Sequence, residues 1–109
     1  APRGRIDDAA LTAMRTGTVL VNVARGTVVE QDAHVGALTA GDLAGAALDV
    51  ADPEPLPRDS PLWDLSNVIV TPHNAGGSQH FPDRCADVFA RNYERFVAGE
   101  PDAMENRAL

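Results

Sequence analysis

The stretch "TVLVNV", Thr18 to Val23, decides the fold. It is rich in β-branched residues and nearly continuous in apolar side chains, which is how a strand buried on both faces of a sheet reads. Upstream, Asp7 can cap a short helix that runs through Leu11 and Met14 and closes at Gly17. Downstream, a second helix is expected from Glu30 to Ala40, stopped by Gly41. Gly36 inside it costs about 1 kcal/mol against alanine, so this helix depends on tertiary packing. "AGAALDV", Ala44 to Val50, reads as a short strand whose small residues suit close packing against a helix. "ADPEPLPRDSP" is proline-rich and can be neither helix nor strand. "NVIV", Asn67 to Val70, is a third strand. A last helix is expected from about Pro82 to Val97, with Gly99 and Pro101 closing it.

Helix, strand, helix, strand, loop, strand, helix implies a parallel α/β sheet with helices on its faces. The bulk numbers agree. With 109 residues there is one small domain at most, and the 44% apolar content is that of a globular chain. The net charge of −7 argues against a nucleic-acid partner, which needs clustered basic residues. Cys85 is the one cysteine, so no internal disulfide forms, and a reducing, cytoplasmic setting is expected. No run is long enough for a membrane span and no signal segment opens the chain. The first residue is Ala1, so a fragment or processed product is expected.

Working residues in parallel sheets sit just past the carboxyl ends of the strands. The first strand is followed by Arg25. The second ends at Asp49, with Glu54 in the loop behind it. The third is followed by His73 in "VTPHNAGG", Val70 to Gly77. Parallel neighbouring strands would bring all four to one edge. Arginine's planar fork suits a carboxylate. A glutamate orients an imidazole, and a histidine so held can give or take a proton near neutral pH. Asp49 could accept a hydrogen bond from a cofactor amide. That set is what oxidation of a 2-hydroxy acid requires. Read blandly, Arg25 is a surface ion pair, Asp49 a turn cap and Glu54 a solvated side chain.

Other residues read as structure. His80 fits no metal-ligand spacing relative to His73, so no metal site is assigned. His34 reads as a surface or half-buried residue, Cys85 as a small core group, and Trp63 as an anchor for the loop before the third strand. Cys85, Val88, Phe89, Phe96 and Val97 fall at helical spacings on the last helix and form a packing stripe. Left uncovered, such a stripe favours a homo-oligomer.

"VLVNVARGTVVEQDA", "LAGAALDVADPEPLP" and "SPLWDLSNVIVTPHNAGG" together resemble the carboxyl-terminal part of the D-isomer-specific 2-hydroxyacid dehydrogenases. The resemblance runs from about Gly4 to Pro101. It implies a partial Rossmann-like sheet of about three strands that lacks the amino-terminal half of the dinucleotide-binding domain. Residues 1–80 would be the second half of that domain, and 81–109 a helix and tail leading back toward a substrate domain. It implies catalytic roles for Arg25 on the substrate carboxylate, His73 as acid–base and Glu54 as its holder. Asp49 would meet a nicotinamide carboxamide, and Val23, Ala24, Arg25, His73, Ala75 and Gly76 would lie along NAD or NADP. The implied partner is a small 2-hydroxy or 2-oxo acid.

Some positions depart from the family pattern. Asn74 stands where an apolar residue is usual, Ala51 replaces a common aromatic, and His34 and Gly36 occupy a helix that is usually more apolar. The glycine-rich G-x-G-x-x-G turn that cradles a pyrophosphate is absent from these residues. The 109 residues alone are therefore expected to be inactive or nearly so. Two readings compete with an enzyme: a dinucleotide-binding module of the corepressor kind, and a remnant with a packing or dimerising role. A formate-oxidising relative would carry glutamine in place of Glu54.

Overall fold

The computed structural model describes residues 3–107 of the chain. Its helices and strands run α1 (Asp8–Thr12), β1 (Thr18–Asn22), α2 (Gln31–Ala40), β2 (Leu43–Leu48), β3 (Val68–Val70) and α3 (Phe81–Val97). The strands form one parallel sheet in the order β1-β2-β3. All three carboxyl ends therefore lie along one edge, as the alternation of elements predicts. Two compact units result, Ala1–Ala75 with the sheet and Gly76–Leu109 with α3.

The helices end where their caps dictate. Asp7 accepts a hydrogen bond from the Ala10 amide and starts α1. α1 stops at Thr12, two residues short of the expected Met14. Gly41 closes α2 in the left-handed region at φ 82°, and its N–H and that of Asp42 return to carbonyls of Ala37 and Leu38. This is the terminus a glycine just past a helix makes.

The core of the first unit sits between α1, α2 and one face of the sheet. Leu11 of α1, Leu38 of α2, Leu20, Leu43, Ala46 and Leu48 of the strands, and Leu62 of the proline-rich connection form one buried cluster. Burying each leucine contributes about 1.5–3 kcal/mol. Leu43 and Leu62 are each 1% exposed.

The other face corrects the reading of Thr18–Val23 as buried on both sides. β1 alternates, with Leu20 and Asn22 buried while Val19 and Val21 are exposed. The register aligns Val21 with Ala47 and Ile69, so β3 adds exposed Ile69 to the same apolar face. An unbroken β-branched run has the same letters whether one face is covered or two, because strand side chains alternate strictly between faces.

Two further expectations are corrected. His34 is not at the surface. It is 2% exposed, and its Nε2 has no hydrogen-bond partner among the described residues. Cys85 is exposed rather than a core group. In the second unit, α3 carries a stacked pair, Phe89 and Tyr93, with ring centroids 6.3 Å apart. Phe81, Phe89, Tyr93, Phe96 and Val97 are all exposed. The opposite flank is tied to the segment that follows. The Glu105 carboxylate accepts from Arg91 Nε at 2.8 Å and Arg95 Nη1 at 3.0 Å, while Asn92 bonds the Glu105 backbone in both directions. Together these arginines, Arg91 first, hold the Glu105 carboxyl down at about 2.

Candidate active site

Three loops leave the carboxyl edge of the sheet, and each carries a candidate residue. The first follows β1. Buried Asn22 grips it from both sides: its Nδ2 donates to the Arg25 carbonyl at 3.0 Å, and its Oδ1 accepts from the Ala24 amide at 3.1 Å. The Arg25 backbone is extended and its guanidinium is exposed. Its one side-chain bond among the described residues is to the Ala24 carbonyl, at 2.6 Å. Of five guanidinium N–H groups, most stay available to an incoming carboxylate.

Gly26 lets that loop meet the second one. A Cβ built there would lie 1.9 Å from the Ala51 carbonyl oxygen, so any side chain would push the two loops apart. This second loop follows β2, beginning with Asp49 and continuing to Glu54. Its Asp52–Pro53 and Glu54–Pro55 peptide bonds are both cis.

The third loop follows β3 and carries His73. The Thr71 amide continues the sheet to the Leu48 carbonyl, and the His73 amide returns to the Thr71 carbonyl in a tight turn. His73 has φ 52°, in the left-handed region. For a residue with a Cβ this costs about 1–2 kcal/mol. Its Nδ1 lies 2.5 Å from Glu54 Oε1. An ionised carboxylate only accepts, so the neutral ring carries its proton on Nδ1 and leaves Nε2 as the atom available for proton transfer.

Asp49 is 4% exposed and its carboxylate binds the same loop. Oδ1 accepts from the Thr71 hydroxyl at 2.5 Å and the Asn74 amide at 3.0 Å, and Oδ2 accepts from the Ala75 amide at 2.7 Å. The Thr71 hydroxyl, then the Ala75 amide, hold the Asp49 carboxyl below the usual carboxylate range.

Two hollows share Asp49 and Thr71. One, of about 430 Å³, is lined by Glu54, His73, Ala51, Leu56, Trp63 and Pro72, among others. Trp63 both lines it and anchors its loop, donating from Nε1 to the Pro57 carbonyl at 2.8 Å. The other, of about 190 Å³, has an apolar floor of Val21, Val23, Ala47 and Ile69, with Asp49, Asn74 and Ala75 at its rim. An apolar floor beside a carboxylate oxygen with acceptor capacity left fits a flat aromatic amide such as nicotinamide.

The structure thus bonds Glu54 to His73 directly and bonds Asp49 to the loop that carries His73. Arg25 stands at the same sheet edge without a bond to them. Val23, Asp49 and Ala75 share the small hollow, whereas Ala24 and Arg25 belong to the first loop and Gly76 opens the second unit. Two supporting residues escaped the sequence reading, Asn22 and Thr71. The signal was present in Asn22: a polar side chain closing an apolar strand must find partners when buried.

Comparison with known proteins adds a family match, two relatives and a solved structure. Residues 1–75 match the model of the family described as D-isomer specific 2-hydroxyacid dehydrogenase, NAD binding domain. A glyoxylate reductase of Korarchaeum cryptofilum is 43% identical over 105 residues, 95% of this chain and 32% of that protein. A D-3-phosphoglycerate dehydrogenase of Mycobacterium bovis is 40% identical over 103 residues, 93% of this chain and 19% of that protein. Among solved structures, a D-isomer specific 2-hydroxyacid dehydrogenase from Xanthobacter autotrophicus Py2, in complex with NADPH and MES, superposes with a TM-score of 0.81. It is 44% identical, over 91% of this chain and 40% of that one. The chain spans about a third of the length of the curated relatives it matches first, 30–32% of each.

Proposed function

The chain belongs to the D-isomer specific 2-hydroxyacid dehydrogenase family, and from that premise we propose that the protein carrying it moves a hydride between NAD or NADP and a small 2-oxo or 2-hydroxy acid. The observation that carries this reading is the 2.5 Å contact between His73 Nδ1 and Glu54 Oε1 at the carboxyl edge of a parallel sheet. A decayed binding module would have no need of it, and a formate-oxidising relative would carry an amide in place of Glu54.

When bound, the nicotinamide supplies or accepts the hydride. The rest is done by the chain. Arg25 pairs its guanidinium with the substrate carboxylate and sets the oxo group's position. His73, protonated, gives its Nε2 proton to the oxo oxygen as the carbon is reduced, and takes the hydroxyl proton back in oxidation. Glu54 holds Nδ1–H throughout, so the ring keeps one orientation. Asp49 accepts the carboxamide N–H through Oδ2. Val23, with Ala24, Arg25, His73, Ala75 and Gly76, flanks the cofactor, and residues 1–80 act as the second half of its domain. The net charge of −7 favours a small-molecule role over nucleic acid. No described helix is long and apolar enough to cross a membrane. The exposed aromatics of α3 favour a homo-oligomer, and the lone Cys85 a reducing cytoplasm.

The test is turnover of glyoxylate or hydroxypyruvate with NADH or NADPH by the intact enzyme. His73→Gln should lower kcat by about 10²–10⁴-fold while leaving the dissociation constant of the cofactor within a few-fold. Near-normal turnover in that variant overturns the acid–base assignment. The 109 residues alone should show no turnover.

A further inference from the structure

We propose that Asp49 is a positioning residue, which holds His73 in its working geometry by clamping the backbone on both sides of it. The inference rests on the reading of His73 as the proton-transfer group and adds to Asp49 a duty beyond the carboxamide.

The contacts straddle the histidine. The Thr71 hydroxyl lies two residues before His73, and the Asn74 and Ala75 amides lie one and two residues after it. All three donate to the one carboxylate. His73, between them, sits at φ 52°. Left alone, a residue with a Cβ relaxes out of the left-handed region. Bonds to the chain on either side oppose that relaxation, because turning His73 to negative φ carries Thr71 away from Asn74 and Ala75. Asp49 is itself held. It is buried at the end of β2, and its amide donates to the Asn22 carbonyl at 3.0 Å.

Only an acceptor-only group answers this arrangement. Three donors converge, so an amide side chain would set an N–H against one of them. Oδ1 takes two of the bonds and Oδ2 the third, which leaves a lone pair of Oδ2 for a ligand's N–H. One carboxylate can therefore grip the loop and still meet the carboxamide. The clamp also fixes the tautomer of His73, since only the clamped backbone delivers Nδ1 to Glu54.

The test reads the tautomer. A long-range ¹H–¹⁵N spectrum of the ¹⁵N-labelled full chain, taken at alkaline pH with the ring neutral, distinguishes Nδ1–H from Nε2–H imidazole. In the parent chain the His73 signals should be those of the Nδ1–H form. Glu54→Ala is the control that releases the ring to the Nε2–H form. Asp49→Ala should shift His73 the same way while the β1 and β2 amide signals stay in place, and Asp49→Asn should fall between. A His73 pattern unchanged in Asp49→Ala overturns the clamp. Thr71→Val removes one arm and leaves Asp49 in place, so it decides the question by the same signals if Asp49→Ala does not fold. Failure of the acid–base reading is separate: it shows as near-normal turnover of His73→Gln, whatever the tautomer in Asp49→Ala.

Discussion

His73 Nδ1 meets Glu54 Oε1 at 2.5 Å across 19 residues of sequence, joining the loop after β3 to the proline-rich loop after β2. Both side chains are more than a third exposed, so the pair adds little to stability, and its value lies in orientation. Glu54→Gln keeps an acceptor for Nδ1–H and should lower kcat of the intact enzyme by about 10-fold. Glu54→Ala keeps none and should lower it by about 10²-fold, within the range of general acid–base effects. Both should leave cofactor affinity unchanged. Steady-state kinetics of the alanine variant at the parental kcat would show that the ring needs no holder.

Asn22 does for Arg25 what Asp49 does for His73, through two bonds of 3.0 and 3.1 Å to the Arg25 carbonyl and the Ala24 amide. Asn22→Ala strips partners from both groups, at a cost of about 1–3 kcal/mol. The freed loop should raise KM for the oxo acid more than it lowers kcat, because the role proposed for Arg25 is to aim the substrate and not to move the proton. Urea unfolding measures the first effect and initial-rate kinetics the second. An unchanged KM would separate Asn22 from the arginine.

What was legible in the sequence, and what was not, follows from the kind of signal each residue leaves. Arg25, Asp49 and His73 each follow a β-branched or small-residue run, so the parallel order of the strands places them on one edge. Asn22 and Thr71 act through side-chain bonds to residues up to 22 apart, and a bond of that kind leaves no periodic trace. His34 was misplaced because α2 has no sharp apolar stripe, its buried positions being one histidine and one leucine. The exposed Val19, Val21 and Ile69 were invisible as such because one-sided burial and two-sided burial can be written in the same residues.

Gly26 and Gly36 should answer alanine in opposite directions. At Gly26 a Cβ would lie 1.9 Å from the Ala51 carbonyl oxygen, and neither loop can give without moving Arg25 or Glu54. Overpacking of this kind costs about 1–3 kcal/mol. At Gly36, inside α2, a Cβ meets nothing within 4 Å. Alanine there should stabilise by up to about 1 kcal/mol. Denaturation midpoints that move the same way in both variants would contradict the loop contact.

The Glu105 carboxyl is pushed down to about 2 by its bonds to Arg91 and Arg95. A depressed folded pKa gives stability that is present above the unfolded value, 4.5, and is lost as pH falls from there toward 2. The segment after α3 should therefore release over that window, seen as a lower protection factor (exchange relative to the intrinsic rate at each pH) at the Glu105 amide, whose N–H bonds Asn92 Oδ1 at 2.7 Å. Glu105→Gln should show the parent's low acid protection factor already at neutral pH. A Glu105 amide equally protected at pH 2.5 and 6 would rule the arginine latch out.

His34 should make the first unit acid-sensitive at milder pH. It is 2% exposed, Nε2 lacks a partner among the described residues, and burial pushes its pKa below the usual 6.5. The hollow around it is lined by Asn22, Gly26, Gln31, Leu48 and Leu62, with no charged side chain to offset a proton. Below pH 6.5 the unfolded chain takes up a proton that the folded chain refuses, so stability falls as pH drops from 6.5 toward the depressed folded value. Leucine has a similar volume and no orphaned nitrogen. His34→Leu should stabilise by about 1–3 kcal/mol at pH 7, the cost of an unpaired buried polar atom. It should also flatten the decline of the urea midpoint between pH 6.5 and 5. A decline as steep in the leucine variant as in the parent would assign the acid sensitivity to other groups.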